Sequence, residues 1–420
     1  MTSEPVARAE QEALDWLLGP AAIRARAQRL FQHAASGASA HFSLDMDQLE
    51  PAADYVAAVI RAHYPDLQIP YHARWRHFGP RWDALAPRFD GIRPEELGRI
   101  RFDLAVVSVL LDAGAGPDWR YREADGTLSA RSEGLAIASL DAFKRGLFSR
   151  LPEAQPCRAD AEALERIEVA DIAAAFQVTP QNPLAGLEGR ATLLRSLGAA
   201  LRDAPDLFGA REAGQGARIG HLFDWLLDQA QDGVLPAESI LRALLRGLGP
   251  VWPGRIALGG VNLGDCWQHP AASAAPGEPA LSAGLVPFHK LSQWLAYSLV
   301  EPLEQYGIRV VDLDALTGLP EYRNGGLFLD LGVLRLKNPA LAAAPLPAGH
   351  EAVVEWRALT VALLDAIADP VRKRLGKSAA EMPLARILEG GTWAAGRRIA
   401  AEKRPGGPPP LNILSDGTVF

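Results

Sequence analysis

The sequence predicts a mainly α, multi-helix, two-lobed protein with a few short strands. Apolar residues recur at helical spacing through most of the chain, strand-like runs are sparse, and 420 residues with 48% apolar content are enough for more than one core. Domains usually run to about 100–200 residues. The chain therefore divides into an N-terminal helical lobe, 1–150, and a C-terminal helical lobe, 151–420, with one continuous domain as the alternative.

Residues 5–36 carry Ala, Leu, Ile and Arg at helical spacing, broken at Gly19-Pro20. A second helical run, 49–63, follows Asp45 and Asp47 and closes at Tyr64-Pro65. Residues 102–112 are apolar nearly all round and lead into Gly114-Ala115-Gly116-Pro117, the pattern of a buried helix with a glycine stop. Further helices are predicted over 132–150, 159–176, 190–203, 218–231 and 236–247. The best strand is 308–313, after a helix stop at Gly307. Loops rich in Pro, Gly and Ala are expected at 152–158, 271–279 and 339–349.

A net charge of -7 and the absence of any Lys/Arg tract give no support to binding nucleic acid or an anionic membrane. Cys157 and Cys266 form neither a metal-ligand spacing nor a disulfide framework, and read as reduced thiols. The N-terminus lacks a signal pattern, and no apolar run approaches the roughly 18 residues of a membrane helix. A soluble cytoplasmic protein is expected, with no metal or cofactor, and with a homo-oligomer left open. GxSxG, Walker, HExxH and CxxC motifs are all missing, so hydride transfer, metalloproteolysis and ATP hydrolysis lose their usual support.

Three stretches concentrate polar groups in apolar surroundings. In 285–306, Pro287 suits a helix start, and Lys290, Gln293 and Tyr297 fall along one side of the helix. A solvated edge is the plainer explanation. In 316–335, Glu321 and Arg323 follow a Gly-Leu-Pro turn, and Asp330 lies between Leu329 and Leu331. Gly325 and Gly326 would let backbone approach a ligand, or make a turn. Glu321 and Arg323 fit a pocket rim, or a surface pair worth little. In 350–367 a buried helix carries Glu355 on the face of Leu359 and Ala362. A buried carboxylate needs a partner or a function. Arg357, two residues on, can serve only through a third group; a structural ion network is the competing explanation.

Upstream, Arg74, Arg76 and Arg81 interleave with Trp75, Phe78 and Trp82, which suits base stacking or phosphate binding as well as plain cation–π contacts. Asp112, the glycine turn and Trp119 suit a loop over a pocket. Tyr322, His289, Asp265 and Trp267 complete the set of substrate-binding candidates.

The strings HFSLDMDQL (41–49), FDLAVVSVLLDAGAGPDWRY (102–121), NPLAGLEGR (182–190), PFHKLSQWLAYSLVEPLE (287–304), LTGLPEYRNGGLFLDLGVL (316–334) and LNILSDGTVF (411–420) resemble the uracil-catabolism family of the URC pathway of fungi and bacteria. The resemblance runs through nearly the whole chain and implies a docked C-terminus. It implies a part in releasing uracil nitrogen through a ribosylated urea. The order of motifs in 287–365 is also similar to that of the queuosine-salvage N-glycosylases, which implies a DNA-glycosylase-like helical core. Glu321-Tyr322-Arg323 stands where those enzymes carry Asp-Tyr-Arg, Glu355 and Arg357 match their Glu-x-Arg, and Lys290 and Gln293 match their Lys-x-x-Gln. Glu replaces Asp at 321, and Ser298 stands where they have a further aspartate. This second similarity spans about a fifth of the chain, and kinship of fold alone does not fix function.

Together the resemblances imply hydrolysis of the N-glycosidic bond of a ribosylurea or its 5′-phosphate, through an oxocarbenium-like state. Glu321 would then serve the anomeric carbon, and Glu355 or Asp330 would orient water or the ureide. Lys290, Arg323, Arg74 and Arg76 would hold a 5′-phosphate. The alternatives are a hydrolase or lyase acting on the ureido group of a ring-opened pyrimidine nucleotide, and a non-catalytic partner that binds a nucleotide intermediate.

Overall fold

The computed structural model describes residues 4–112, 114–211, 216–343 and 345–414. The protein is mainly α, and each sheet among the described residues pairs only two short strands. The chain forms two compact units, both discontinuous. One is built from 1–72, 254–293 and 312–420, the other from 73–253 and 294–311. The lobe boundary expected at residue 150 instead falls inside the second unit. Composition marks loops, but it carries no sign that a chain leaves a unit and returns to it twice.

The first unit opens with α1 (Glu4–Leu17), α2 (Pro20–Ala35) and α3 (Leu49–His63). Gly19 and Pro20 separate the first two as expected, with Pro20 pre-set for a first helical turn. The second unit contains α4 (Pro94–Leu110), α5 (Arg131–Lys144), α6 (Leu187–Asp203), α7 (His221–Gln229) and α8 (Ala237–Leu248). Helix α4 starts eight residues before the expected 102, because its polar first turn, Pro94-Glu95-Glu96, favours a helix start without apolar periodicity. The helix expected over 159–176 is split into Ala161–Glu165 and Val169–Ala175. Glu168 and Asp171 form a capping box that restarts it.

Helix α9 (Lys290–Tyr306) begins later than expected. Pro287 ends a strand, Leu285–Pro287, antiparallel to Cys266–Gln268. His289 then turns the chain at φ +47°. The expected strand at 308–313 exists as Arg309–Val311, parallel to Val234–Pro236. The first unit is completed by α10 (Tyr322–Asp330), α11 (Glu351–Leu375) and α12 (Trp393–Lys403). Ile23, Ala27 and Leu30 of α2 pack with Val354, Ala358 and Val361 of α11, over Val286 and Phe288. At the described end of the chain Leu411 is buried and Ile413–Leu414 pairs with Leu346–Pro347; the SDGTVF string, 415–420, lies outside the described residues. Among the described residues no helix is long and apolar enough to cross a membrane.

Gly325 and Gly326 do not make a turn. Both lie inside α10, where they permit close packing. A Cβ on Gly325 would meet Thr360 Oγ1 and Trp356 Cε2 of α11 at 2.7 Å. The carbonyl of Gly325 accepts the Trp356 indole N–H at 3.1 Å. Gly325→Ala should therefore cost about 1–3 kcal/mol by overpacking. Gly189→Ala, on an exposed helical position with nothing within 4 Å of the new Cβ, should be neutral or stabilise by up to about 1 kcal/mol. Paired urea melts measure both, and equal effects would refute the packing account.

Candidate active site

The first unit holds most of the candidate residues, and Arg357, Trp267 and Lys290 converge there on one buried carboxylate, Asp265. Its two oxygens accept both Nη groups of Arg357, at 2.8 and 2.7 Å. Oδ1 also accepts the Trp267 indole N–H at 2.7 Å, and Oδ2 the backbone N–H of Lys290 at 3.0 Å. Burial alone would raise this carboxyl, yet the Arg357 charge and these donors hold it well below the usual carboxylate range. Arg357 also lies 4.1 Å above the Phe288 ring and donates through Nε to the Pro320 carbonyl at 3.3 Å. Asp265 thus starts α9 while its partner holds the residue before Glu321. His289 is buried, its Nε2 3.0 Å from the Leu17 carbonyl, and burial lowers its pKa. Gln293, fully buried, donates to Thr317 Oγ1 at 2.8 Å.

Glu321 caps α10. Its oxygens accept the backbone N–H groups of Arg323 at 2.8 Å and Asn324 at 2.6 Å. No Glu321–Arg323 ion pair forms; the guanidinium lies 5.1 Å from the Tyr322 ring and 5.4 Å from that of Trp393. Asp330, at the other end of the same helix, is held by Arg404 through two 2.6 Å bonds. The nine residues of α10 set it about 13 Å from Glu321 along the axis, too far to share one reacting centre.

Glu355 faces another way. Its side chain is 1% exposed and does not meet Arg357. Instead Oε2 lies 3.9 Å from Nε2 of His269, itself 2% exposed. Neither Glu355 Oε1 nor His269 Nε2 has a hydrogen-bond partner among the described residues. Burial pushes the Glu355 carboxyl above its ordinary value, opposed in part by Ser39, His41 and His33. Burial also pulls His269 down to about 4, so its imidazole is neutral near pH 7. His269 lines an open cavity of about 510 Å³ whose wall includes Glu351, one helical turn before Glu355. Glu351 pairs with His41 at 3.2 Å. One face of α11 therefore stacks two carboxylate–imidazole pairs, one at the cavity wall and one buried a turn further on.

The remaining candidates belong to the second unit and have structural partners there. Arg74 is fully buried and donates to Ser108 Oγ at 2.8 Å, with Asp112 at 3.1 Å. Ser298, where the glycosylases carry aspartate, accepts the Arg74 backbone N–H at 2.9 Å. Arg76 pairs with Glu301 at 2.5 Å, and the buried Trp119 donates to the Phe176 carbonyl at 2.9 Å.

The DUF1688 family, described as a protein of unknown function, matches residues 16–420. The chain belongs to the DUF1688 family. It is 40% identical to Protein urg3 of Schizosaccharomyces pombe over the full length of both chains. It is 36% identical to Uracil catabolism protein 4 of Lachancea kluyveri, covering 91% of this chain and 93% of that one.

In this DUF1688 chain the sequence reading missed His269, Ser39 and Arg26. His269 stands in a stretch without helical or strand periodicity, so nothing local marks it as interior. Arg26 looks like one more polar residue of an amphipathic helix. Yet it is fully buried, bonded to the carbonyls of Leu285 at 3.0 Å, Ser273 at 2.8 Å and Ser282 at 3.0 Å, and to Glu278 at 2.6 Å.

Asp265→Ala should cost about 3–5 kcal/mol in denaturant unfolding, because it strands a buried guanidinium. Adding Arg357→Met should recover part of that loss; a cost below about 1 kcal/mol would deny Asp265 its central place. Glu355→Gln tests the raised carboxyl. In the wild type the neutral buried form contributes stability at low pH, and this is lost as pH rises from the ordinary 4.5 through the higher folded value. Glutamine does not ionise, so the variant should gain stability relative to wild type as pH rises. A pH-independent difference in Tm would contradict the shift.

Proposed function

We propose that this chain acts in uracil catabolism as a hydrolase that cleaves the N-glycosidic bond of a ribosylurea, free or 5′-phosphorylated. The observation that carries the reading is the Glu355–His269 couple, a buried acid with a raised pKa beside an imidazole that stays neutral, opening through His269 on the 510 Å³ cavity. The name of the 36% identical relative, Uracil catabolism protein 4, supports the pathway.

The reaction needs two opposite proton movements. Urea is a poor leaving group, so the ureide must gain a proton as the C1′–N bond breaks and its electron pair moves to nitrogen. Water must lose a proton as its oxygen bonds to C1′. Protonated Glu355 supplies the first, and the carboxylate it becomes accepts the second. Neutral His269, whose Nδ1 accepts the Ala271 backbone N–H at 3.2 Å and whose Nε2 therefore carries the hydrogen, faces that carboxylate. The proton taken from water restores the Glu355 carboxyl, and His269 keeps its Nε2 hydrogen, 3.9 Å from Oε2, throughout. One carboxyl can serve as acid and then as base in the two halves of such a reaction. The products are urea and ribose or its 5-phosphate. In this scheme Glu321 shapes the α10 turn through its two backbone bonds, and Asp330 takes no part.

Urea release from ribosylurea and from its 5′-phosphate tests the proposal. Glu355→Gln should lower kcat about 10²–10⁴-fold with the fold intact. Glu321→Gln should lose about 1 kcal/mol of stability and keep turnover within severalfold of wild type. The kcat/KM profile should fall in alkali as Glu355 ionises. Near-normal turnover by Glu355→Gln would remove it from the reaction, and collapse in Glu321→Gln without lost stability would move the chemistry to the α10 cap. No release from either compound by the folded protein would overturn the reading.

A further inference from the structure

The second unit has a cavity of its own, of about 550 Å³, between the start of α4, the 154–158 loop and α7. That volume falls in the range of small-molecule sites. Arg88, Arg93, Arg99, Arg158 and Arg211 line it against only Glu96 and Asp224, an unusual local excess of positive charge in an acidic chain.

These arginines differ in their commitments. Arg99 is held by Asp224 at 2.8 and 2.9 Å and by Glu96 at 3.0 Å. Arg158 is buried on Asp160 at 2.8 Å and Gln155 at 2.6 Å. Arg211 pairs with Asp228. Arg88 and Arg93 are exposed, and their guanidinium groups have no ion pair or hydrogen bond among the described residues. Planar donor forks of this kind suit a phosphate.

The rest of the wall is not built for an inorganic ion. Phe89, Ile92, Ile100 and Pro156 supply an apolar surface. His221 adds a directional acceptor. Its Nδ1 lies 2.9 Å from the Phe208 carbonyl, which can only accept, so Nδ1 carries the hydrogen and Nε2 presents a lone pair. Burial lowers the His221 pKa and keeps this form. A fitting ligand therefore combines a phosphate, an apolar or flat body and an N–H or O–H donor.

We propose that this cavity binds a nucleoside monophosphate, with Arg88 and Arg93 on the phosphate, separately from the chemistry at Glu355. Titration calorimetry on the full chain with uridine 5′-monophosphate, uridine and inorganic phosphate tests it. Uridine 5′-monophosphate should bind saturably at one site, and at least tenfold more tightly than either fragment. Arg88→Ala/Arg93→Ala, which removes no native ion pair, should weaken it at least tenfold, and Glu355→Gln should leave it unchanged. No binding at millimolar nucleotide, unchanged affinity in the arginine double variant, or fragments that bind as well would each overturn the site. Loss in Glu355→Gln alone would assign the nucleotide to the other cavity. None of these results bears on whether urea is released.

Discussion

The first unit is organised around the buried bidentate pair between Asp265 and Arg357. The cost of removing two charges from water is offset only where every lone pair and N–H finds a partner. Here Trp267, the N–H of Lys290, the Pro320 carbonyl and the Phe288 ring supply those partners. The result is directional. One side chain begins α9, its partner fixes the turn before α10, and both do so from segments far apart in the chain. A hydrophobic contact of similar area would hold these elements together without setting their angles.

With Arg357 committed to Asp265, Glu355 is left without a cation on its own helix. Burial, with no guanidinium beside it to offset the cost, raises its pKa: residues two apart on a helix face different neighbours, and those of Glu355 are a serine, histidines and apolar groups. The same helix thus carries a carboxylate-binding arginine used for architecture and a buried carboxylate whose pKa is raised. The two are separated by one residue, and by roughly 200° around the axis.

Much of the fold was legible because it is written locally. The break at Gly19-Pro20, the helix 49–63 and the buried run ending before Gly114 all follow from side-chain periodicity and stop signals. The elements read less well were those set by long-range partners. The late start of α9 depends on Asp265, some 25 residues upstream, and the division of the chain depends on returns that no composition shows. The candidate site divides along the same line. The residues around Asp265 were found through motifs, but their structural employment was not visible. Glu355 was identified because a carboxylate among Val, Trp and Leu is conspicuous, whereas His269 becomes interior only once the Cys266–Gln268 and Leu285–Pro287 strands pair.

The discontinuous first unit has a consequence for biosynthesis. The apolar face of α2, built from Ile23, Ala27 and Leu30, packs on Val354, Ala358 and Val361, which leave the ribosome more than 300 residues later. At about 5–20 residues per second, that face waits on the order of tens of seconds for its partner. Meanwhile the continuous stretch 73–253 can begin to condense. The nascent chain is thus an early-folding insert behind an unfinished N-terminal segment. A premature stop just before α11 would leave the α2 face without Val354, Ala358 and Val361, though Val286 and Phe288 would still be made.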